Sequence, residues 1–136
     1  MNRNPDKWIR KGIIQCLGSS APIYDMRVTG NNYPDKYIIL STQTKQTTNA
    51  TKCGSQWDCS ILLDLVTRYT ATSNPGDRVA VNDIEDDVII NMNNFSIENF
   101  SLFSIQIESS TSLDTLTDTM NVFRQLVRYR IILNEI

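Results

Sequence analysis

The sequence predicts an α+β fold in which two helices pack against a mostly antiparallel sheet, in the order α-β-β-β-α-β-β. Two segments carry apolar residues at the three- and four-residue spacing of an amphipathic helix, each behind a helix-start signal. Five other segments show the alternation, or the short apolar run, that is typical of strands. No internal repeat or composition break is visible, so residues 1–136 are predicted to form a single domain.

The first helix is predicted over 4–17, because Asn4 suits a cap, Pro5 suits the first turn, and Gly18 suits the end. The second is predicted over 75–92 from the similar start at 74–77. Its apolar stripe is Ala80, Ile84, Val88 and Met92. Its acidic residues, which are expected to face solvent, are Asp83, Glu85, Asp86 and Asp87.

The five strands are predicted over 23–28, 36–42, 56–69, 102–109 and 121–134. In the fourth strand, Phe103, Ile105 and Ile107 are expected to share one side, with Ser104, Gln106 and Glu108 on the other. Turn residues fill 30–35. The Thr-rich stretch 41–55 and the Ser/Thr-rich stretch 109–119 have few core-forming residues, so both are predicted to be long loops, the first beginning with a short strand extension.

Two strands have sharply different faces. The predicted core faces comprise Trp57, Cys59, Ile61, Leu63, Leu65, Thr67 and Tyr69 on one strand, and Phe123, Val127, Tyr129, Ile131 and Leu133 on the other. The opposite faces mix charged and apolar side chains, so we expect them to meet another subunit. These subunit-interface candidates are Asp58, Leu62, Asp64, Val66, Arg68, Arg124, Leu126, Arg128 and Arg130.

The composition argues against most catalytic classes. The chain has no histidine, which removes the commonest general base and the commonest metal ligand. Its five glycines are scattered and form no phosphate-binding loop, and its three cysteines match no zinc or disulfide pattern. Asp58 and Asp64 lie about 20 Å apart along one strand, too far to share a scissile bond. We therefore predict a non-enzyme without cofactor or metal.

Other features bear on partners and location. The net charge of −2 argues against a dedicated nucleic-acid binder. The three arginines at 124, 128 and 130 leave two alternatives open, ion pairing within or between subunits and contact with nucleic acid. No signal peptide is visible, so we expect a protein made in the cytoplasm with reduced thiols. No apolar run approaches the roughly 20 residues that a membrane helix needs, so we expect no membrane partner.

The order of elements resembles one known group of proteins. A first helix is followed by a short strand with an aromatic residue, Tyr24, and then by an apolar strand behind Pro34. A polar segment leads to an alternating strand that opens with Trp57, and a crossing helix precedes a final pair of strands. Over nearly its whole length, the chain resembles the tail-terminator and tail-completion proteins of tailed bacteriophages and the related head–tail joining, or neck ring, proteins.

This resemblance implies a structural virion protein of the tail or neck, made in the host cytoplasm. Such proteins form hexameric or dodecameric rings around the DNA channel and contact portal, neck or tail-tube proteins, with non-specific DNA passing through the lumen. A closed ring needs one patch that fits a different patch on the next copy. The two predicted loops are expected to reach the lumen or a neighbouring ring through Lys45, Thr47, Lys52, Asp114 and Asp118.

Two alternatives remain from the residues alone. One is a small RNA- or ligand-binding α+β module, which would display aromatic side chains on an open sheet face. A less favoured alternative is a small hydrolase that uses carboxylates, which would need a cleft with perturbed acids.

Overall fold

The structure, a computed structural model, describes residues 4–18, 21–25, 35–51, 54–70 and 76–135, and the side chains of 48–51, 54 and 55 are not considered. Parts of several predicted features lie outside these residues. They are the second half of the first strand, most of the turn at 30–35, Lys52, Cys53, and the start of the second helix at 74–75.

Within the described residues, two helices and five strands follow the predicted order. The helices are α1 (Asp6–Leu17) and α2 (Val79–Met92), and the strands are β1 (Ile23–Asp25), β2 (Lys36–Thr51), β3 (Gly54–Thr70), β4 (Phe100–Leu116) and β5 (Met120–Glu135). The strands form one sheet in the order β1-β2-β3-β5-β4. β1 pairs with β2 in parallel, whereas the other neighbours are antiparallel, so the α+β class is confirmed with a mixed sheet.

The hydrophobic core lies between one face of the sheet and both helices. Helix α1 contributes Ile9, Ile13 and Leu17, and α2 contributes Val81, Ile84, Val88 and Met92. The predicted core faces of β3 and β5 are confirmed, since their apolar residues from Trp57 to Leu65 and from Phe123 to Leu133 are buried. The sheet therefore has a helix-covered face and a face on which no described helix packs.

Helix α2 begins later than predicted. Gly76 has a φ of 71°, in the left-handed region, and a Cβ there would lie 2.2 Å from the ring of Tyr69. Residue 76 therefore cannot continue a right-handed helix. The first N–H groups are served instead by Asp77, whose Oδ1 accepts a hydrogen bond from the N–H of Val79 at 3.0 Å. At α1, Asn4 Oδ1 accepts from the N–H of Asp6 at 3.1 Å, close to the predicted start.

The two predicted loops are wrong. β2 continues through a bulge between Leu40 and Gln43 to Thr51, and β4 extends to Leu116. Only the short turn at 117–119 remains of the second loop, where the N–H of Thr117 donates to Met120 O at 2.9 Å. An antiparallel partner supplies backbone hydrogen bonds whatever the side chains are, and β-branched Thr favours strands. The polar composition of these two segments therefore did not indicate loops.

The predicted face of β4 is also wrong in part. A register shift between Leu102 and Ser104 inserts Phe103 as an extra residue, and it is 64% exposed. Because a bulge reverses the alternation, Leu102 packs against the core in its place. Ile105 also packs against the core, while Ile107 is 41% exposed. Alternation along the sequence therefore assigns residues to the wrong face of a strand wherever a bulge inserts an extra residue.

Candidate functional site

The face without helices, which we call the open face, carries all nine subunit-interface candidates. They are the even-numbered residues of β3 and β5, and the antiparallel register places Leu62 opposite Arg128 and Asp64 opposite Leu126. β2 extends the same face through Tyr37 and Ile39, which lie opposite Val66 and Asp64. The structure therefore brings the predicted residues together on one continuous surface of three strands.

Two arginines of the open face make bidentate ion pairs within the chain. Arg124 donates from Nε and Nη2 to Asp64 at 3.2 and 2.5 Å, and Arg130 donates in the same way to Asp58 at 2.9 and 2.6 Å. Each arginine binds the β3 residue two positions before its register partner, so the pairs run diagonally across the strands. These carboxylates are thus held by their own subunit.

The two pairs differ in burial. Asp64 is 6% exposed, whereas the Asp58 side chain is 26% exposed. The hydrogen bonds from Arg130 lower the pKa of Asp58, against a smaller opposing effect of burial. The hydrogen bonds to Asp64 likewise raise the pKa of Arg124. The Asp58–Arg130 pair is therefore ionised at neutral pH, and the more buried Asp64–Arg124 pair has more to lose if one partner is removed.

Arg128, which lies between them, binds hydroxyl groups and no carboxylate in the described part of the chain. Its Nη1 donates to Ser60 Oγ at 2.9 Å, and its Nη2 donates to Thr42 Oγ1 at 3.1 Å. Its charge is held in place but is not neutralised by an acid. An arginine in that state suits a carboxylate or phosphate supplied from outside the subunit.

Most of the apolar side chains on the open face pack against one another and are buried or half-buried. Val66 is 2% exposed beneath Tyr37, and Tyr24, Ile39 and Val122 pack around this pair. The rings of Tyr24 and Tyr37 meet edge to face with centroids 6.1 Å apart. Of the apolar candidates, Leu62 and Leu126 therefore offer more contact area to a partner than Val66 does.

An open polar groove of about 520 Å³ crosses one end of the open face. Its wall includes the Asp58–Arg130 pair together with Thr44, Gln46, Ser60 and Gln106. The described residues contain no group of three His, Cys, Asp or Glu side chains placed to hold a metal ion. The groove also contains Lys45 and a second carboxylate, Glu108. Asp58 accepts two hydrogen bonds from Arg130, which favour its ionised form, so Asp58 is not the proton-donating acid that a hydrolytic carboxylate pair requires.

The residues predicted to reach out from loops lie mostly on strands. Lys45, on β2, points to the start of α1, where its Nζ binds Asp6 Oδ2 at 2.6 Å. Thr47 is exposed on the same strand. Asp114, on β4, pairs with Arg78, while Asp118 is exposed in the turn before β5. Lys52 lies outside the described residues.

Arg10 was not identified from the sequence, although it organises the edge of the sheet. From α1, its Nη2 donates to Ser41 O at 2.8 Å and its Nη1 to Leu40 O at 3.3 Å, at the bulge of β2. Its Nε donates to Gln43 Oε1 at 2.5 Å, and it also pairs with Asp25 of β1. No sequence signal marks the bulge, so the partners of Arg10 could not be predicted from the sequence.

A polar network, also missed, joins α2 to the second half of β4. Gln125 is 7% exposed on the helix-covered face, and its Nε2 donates to Ser110 Oγ at 2.6 Å. Its Oε1 accepts from Ser112 Oγ at 3.0 Å and from Arg78 Nη2 at 2.5 Å. Hydrogen bonds replace apolar contacts here, which explains how a Ser/Thr-rich segment forms a strand against a helix.

The aromatic side chains Trp57, Phe123 and Tyr129 and the thiol of Cys59 lie on the helix-covered face. Trp57 and Phe123 are each 9% exposed and Tyr129 is 3% exposed, so their rings cannot stack on a base. Cys59 is buried, and burial raises the pKa of its thiol to about 12. It is therefore protonated and unreactive at neutral pH. The RNA-binding alternative gains no support from this arrangement.

Tyr129 carries a buried hydroxyl without a hydrogen-bond partner in the described part of the chain. Burial, helped by the nearby Glu85, raises the pKa of Tyr129 to about 12. Replacing Tyr129 with Phe should therefore raise the free energy of unfolding by about 1 kcal/mol at neutral pH. The gain should grow above pH 10, because there the wild-type tyrosine ionises on unfolding and favours the unfolded state. Urea unfolding at neutral and alkaline pH measures both effects, and a loss of stability at neutral pH would contradict the assignment.

Comparison with known proteins gives a structural match. No protein-family model matches the chain, and no curated protein matches it. Among solved structures, it is similar to a chain of the "Virion of native gene transfer agent (GTA) particle" with a TM-score of 0.60 and 11% identity. The match covers 93% of this chain and 92% of that chain. At this identity the likeness shows a shared fold. No described helix is long and apolar enough to cross a membrane.

Proposed function

We propose that this chain is a non-enzymatic structural protein of a phage-like virion, which forms a ring around the DNA channel at the neck or tail. Its role there is head–tail joining or tail termination, with portal, neck or tail-tube proteins as neighbours. The ring is a hexamer or a dodecamer, and DNA passes through it without being recognised by sequence.

The observation that carries this proposal is the fold shared, over nearly the full length of both chains, with a protein from a virion particle. A match of that extent covers the whole arrangement of helices and sheet rather than one common motif. The order of elements agrees with the tail-terminator and neck ring pattern that the sequence resembles. Both lines of support concern the fold, so the ring itself has to be tested.

The open face suits contact with a neighbouring protein or with DNA. It is polar and charged, and Arg124, Arg128 and Arg130 are already held by Asp58, Asp64 and two hydroxyl groups. A surface whose side chains are already ordered loses little conformational entropy on binding. Arg128 supplies a cation that an acidic side chain or a DNA phosphate would neutralise. The nine candidate residues are therefore proposed to contact the next subunit, an adjoining ring or the passing DNA.

The proposal is tested on the purified chain by size-exclusion chromatography with light scattering and by negative-stain electron microscopy. We expect a discrete species of six or twelve copies that appears in images as a closed ring with a central channel. A chain that stays strictly monomeric, and that also fails to bind portal, neck or tail-tube proteins of its own particle, would refute the proposal.

A further inference from the structure

Among the described residues, the sheet ends in two edges that no further strand covers. β4 is the last strand on one side, and no described strand pairs with its outer edge. On the other side, β1 covers β2 only from Ile38 to Leu40, so residues 43–51 of β2 have no described strand beyond them. Unpaired edges present rows of N–H and C=O groups that can pair with another strand.

β4 is exposed to an unusual extent for a strand. Every residue from 106 to 116 is exposed, on both faces of the sheet. Phe103 and Leu116 are each 64% exposed, and Leu113 is 45% exposed. A strand that buries so little against its own subunit gains little from packing, and exposed apolar side chains along an edge are typical of a contact surface.

The sequence of β4 has little of the usual protection of an edge. Natural edge strands are blunted by Lys, by Pro or by bulges, and β4 has no Lys, Arg or Pro in its 17 residues. Its two bulges lie in the first half, so the run from Ser109 to Leu116 pairs with β5 without a register shift. That run leaves a regular unpaired edge. Such an edge exposes a free subunit to aggregation, but it gives a subunit within an assembly a surface on which a partner strand can pair.

The two edges also differ in charge. β4 carries Glu108 and Asp114 and no basic residue, whereas residues 43–51 of β2 carry Lys45 and no acidic residue. Inside the subunit Lys45 already binds Asp6 and Asp114 binds Arg78, so Glu108 is the charge of these two edges that has no ion-pair partner among the described residues. Two β4 edges placed side by side would bring two such glutamates onto one edge, which is unfavourable, whereas the β2 edge of another copy presents no acid.

Strand direction fits the same arrangement. β3 is antiparallel to both β2 and β5, and β4 is antiparallel to β5, so β4 runs opposite to β2. In a ring, every copy has the same orientation along the axis, so β4 of one copy meets β2 of the next as an antiparallel pair. Such a contact joins two different edges, repeats around the ring and leaves no β4 edge open.

We infer that the outer edge of β4 pairs with residues 43–51 of β2 in the next copy of this chain, so that the sheets of the ring form one continuous sheet. This inference rests on the proposed ring. It assigns copy-to-copy contact to the two edges and leaves the open face for an adjoining ring or for DNA.

Hydrogen–deuterium exchange tests the inference on rings and on dissociated subunits of the wild-type chain. We expect amides of β4 and of residues 43–51 to exchange much more slowly in the ring than in the subunit. Rings whose two edges exchange as fast as in the subunit would overturn the inference while the proposed function stands. Dimers that protect β4 but not β2 would also overturn it. If the chain forms no ring and also fails to bind portal, neck or tail-tube proteins of its own particle, the proposed function fails as well.

Matched double variants give a second test. Leu113→Lys/Leu116→Lys places two cations in the regular run of β4 at side chains 45% and 64% exposed, so the subunit should fold normally while association weakens at least about tenfold. The control is Ile14→Lys/Ile90→Lys, the same change on the two helices at side chains 47% and 62% exposed. We expect the control to form rings and the β4 variant to lose them. If the β4 variant forms rings as well as the control does, while circular dichroism shows both variants folded, the inference is wrong.

Discussion

Replacing Arg124 with Ala is expected to lower the free energy of unfolding by about 2–3 kcal/mol, because it leaves a buried carboxylate without its partner in a pair whose arginine side chain is 33% exposed. Asp64 is 6% exposed, and both of its carboxylate oxygens accept hydrogen bonds from Arg124. Without the guanidinium, that charge would remain between β2 and β5 with little access to water. Urea unfolding followed by circular dichroism at neutral pH measures the loss.

Two variants show whether the loss comes from the orphaned carboxylate. Arg130→Ala breaks the same bidentate geometry at Asp58, whose side chain is 26% exposed and can be hydrated, so its loss should be much smaller. The double variant Asp64→Leu/Arg124→Leu removes both charges and should recover most of the stability lost in Arg124→Ala. Equal losses in the two single arginine variants would contradict the argument from burial.

The sequence predicted the fold well where apolar periodicity was strong. The core faces of β3 and β5 follow from strict alternation, which the structure keeps without a register shift between Gln56 and Thr70. Prediction failed where polar residues form strands. The segments 41–51 and 109–116 owe their structure to backbone pairing and to partners such as Gln125 and Arg10, which are distant in sequence. The composition of a segment does not reveal partners that are distant in sequence.

The candidate site was predicted as a set of residues but not as a set of interactions. Period two places Asp58, Asp64 and the three arginines on one side of their strands, and the structure shows them there. Which acid binds which arginine depends on the register of β3 against β5, which was not predicted from the residues. Among the described residues, the register gives Arg128 hydroxyl partners and no acid, so its availability to an outside anion emerged only from the structure.

Gly12→Ala is the second substitution with a large expected effect on stability. It should destabilise the folded chain, although its position inside helix α1 suggests a stabilisation. A glycine inside a helix normally costs about 1 kcal/mol relative to alanine, so Gly12→Ala would stabilise an isolated α1. In the folded chain a Cβ at this position would lie 2.6 Å from Ser96 O and 2.9 Å from Phe95 Cε2. Because one of these atoms belongs to the backbone, the segment after α2 would have to move.

We therefore expect Gly12→Ala to lower the free energy of unfolding by about 1–3 kcal/mol, as overpacking of a core does. Gly18→Ala is the matched control, because among the described residues a Cβ at this helix end would meet Ile14 O alone, at 3.1 Å. Its effect should be near zero. Thermal and urea unfolding of both variants measure the difference. If Gly12→Ala were as stable as the wild type, α1 and the residues after α2 would be less closely packed than the structure shows, and the placement of both helices on the sheet would need revision.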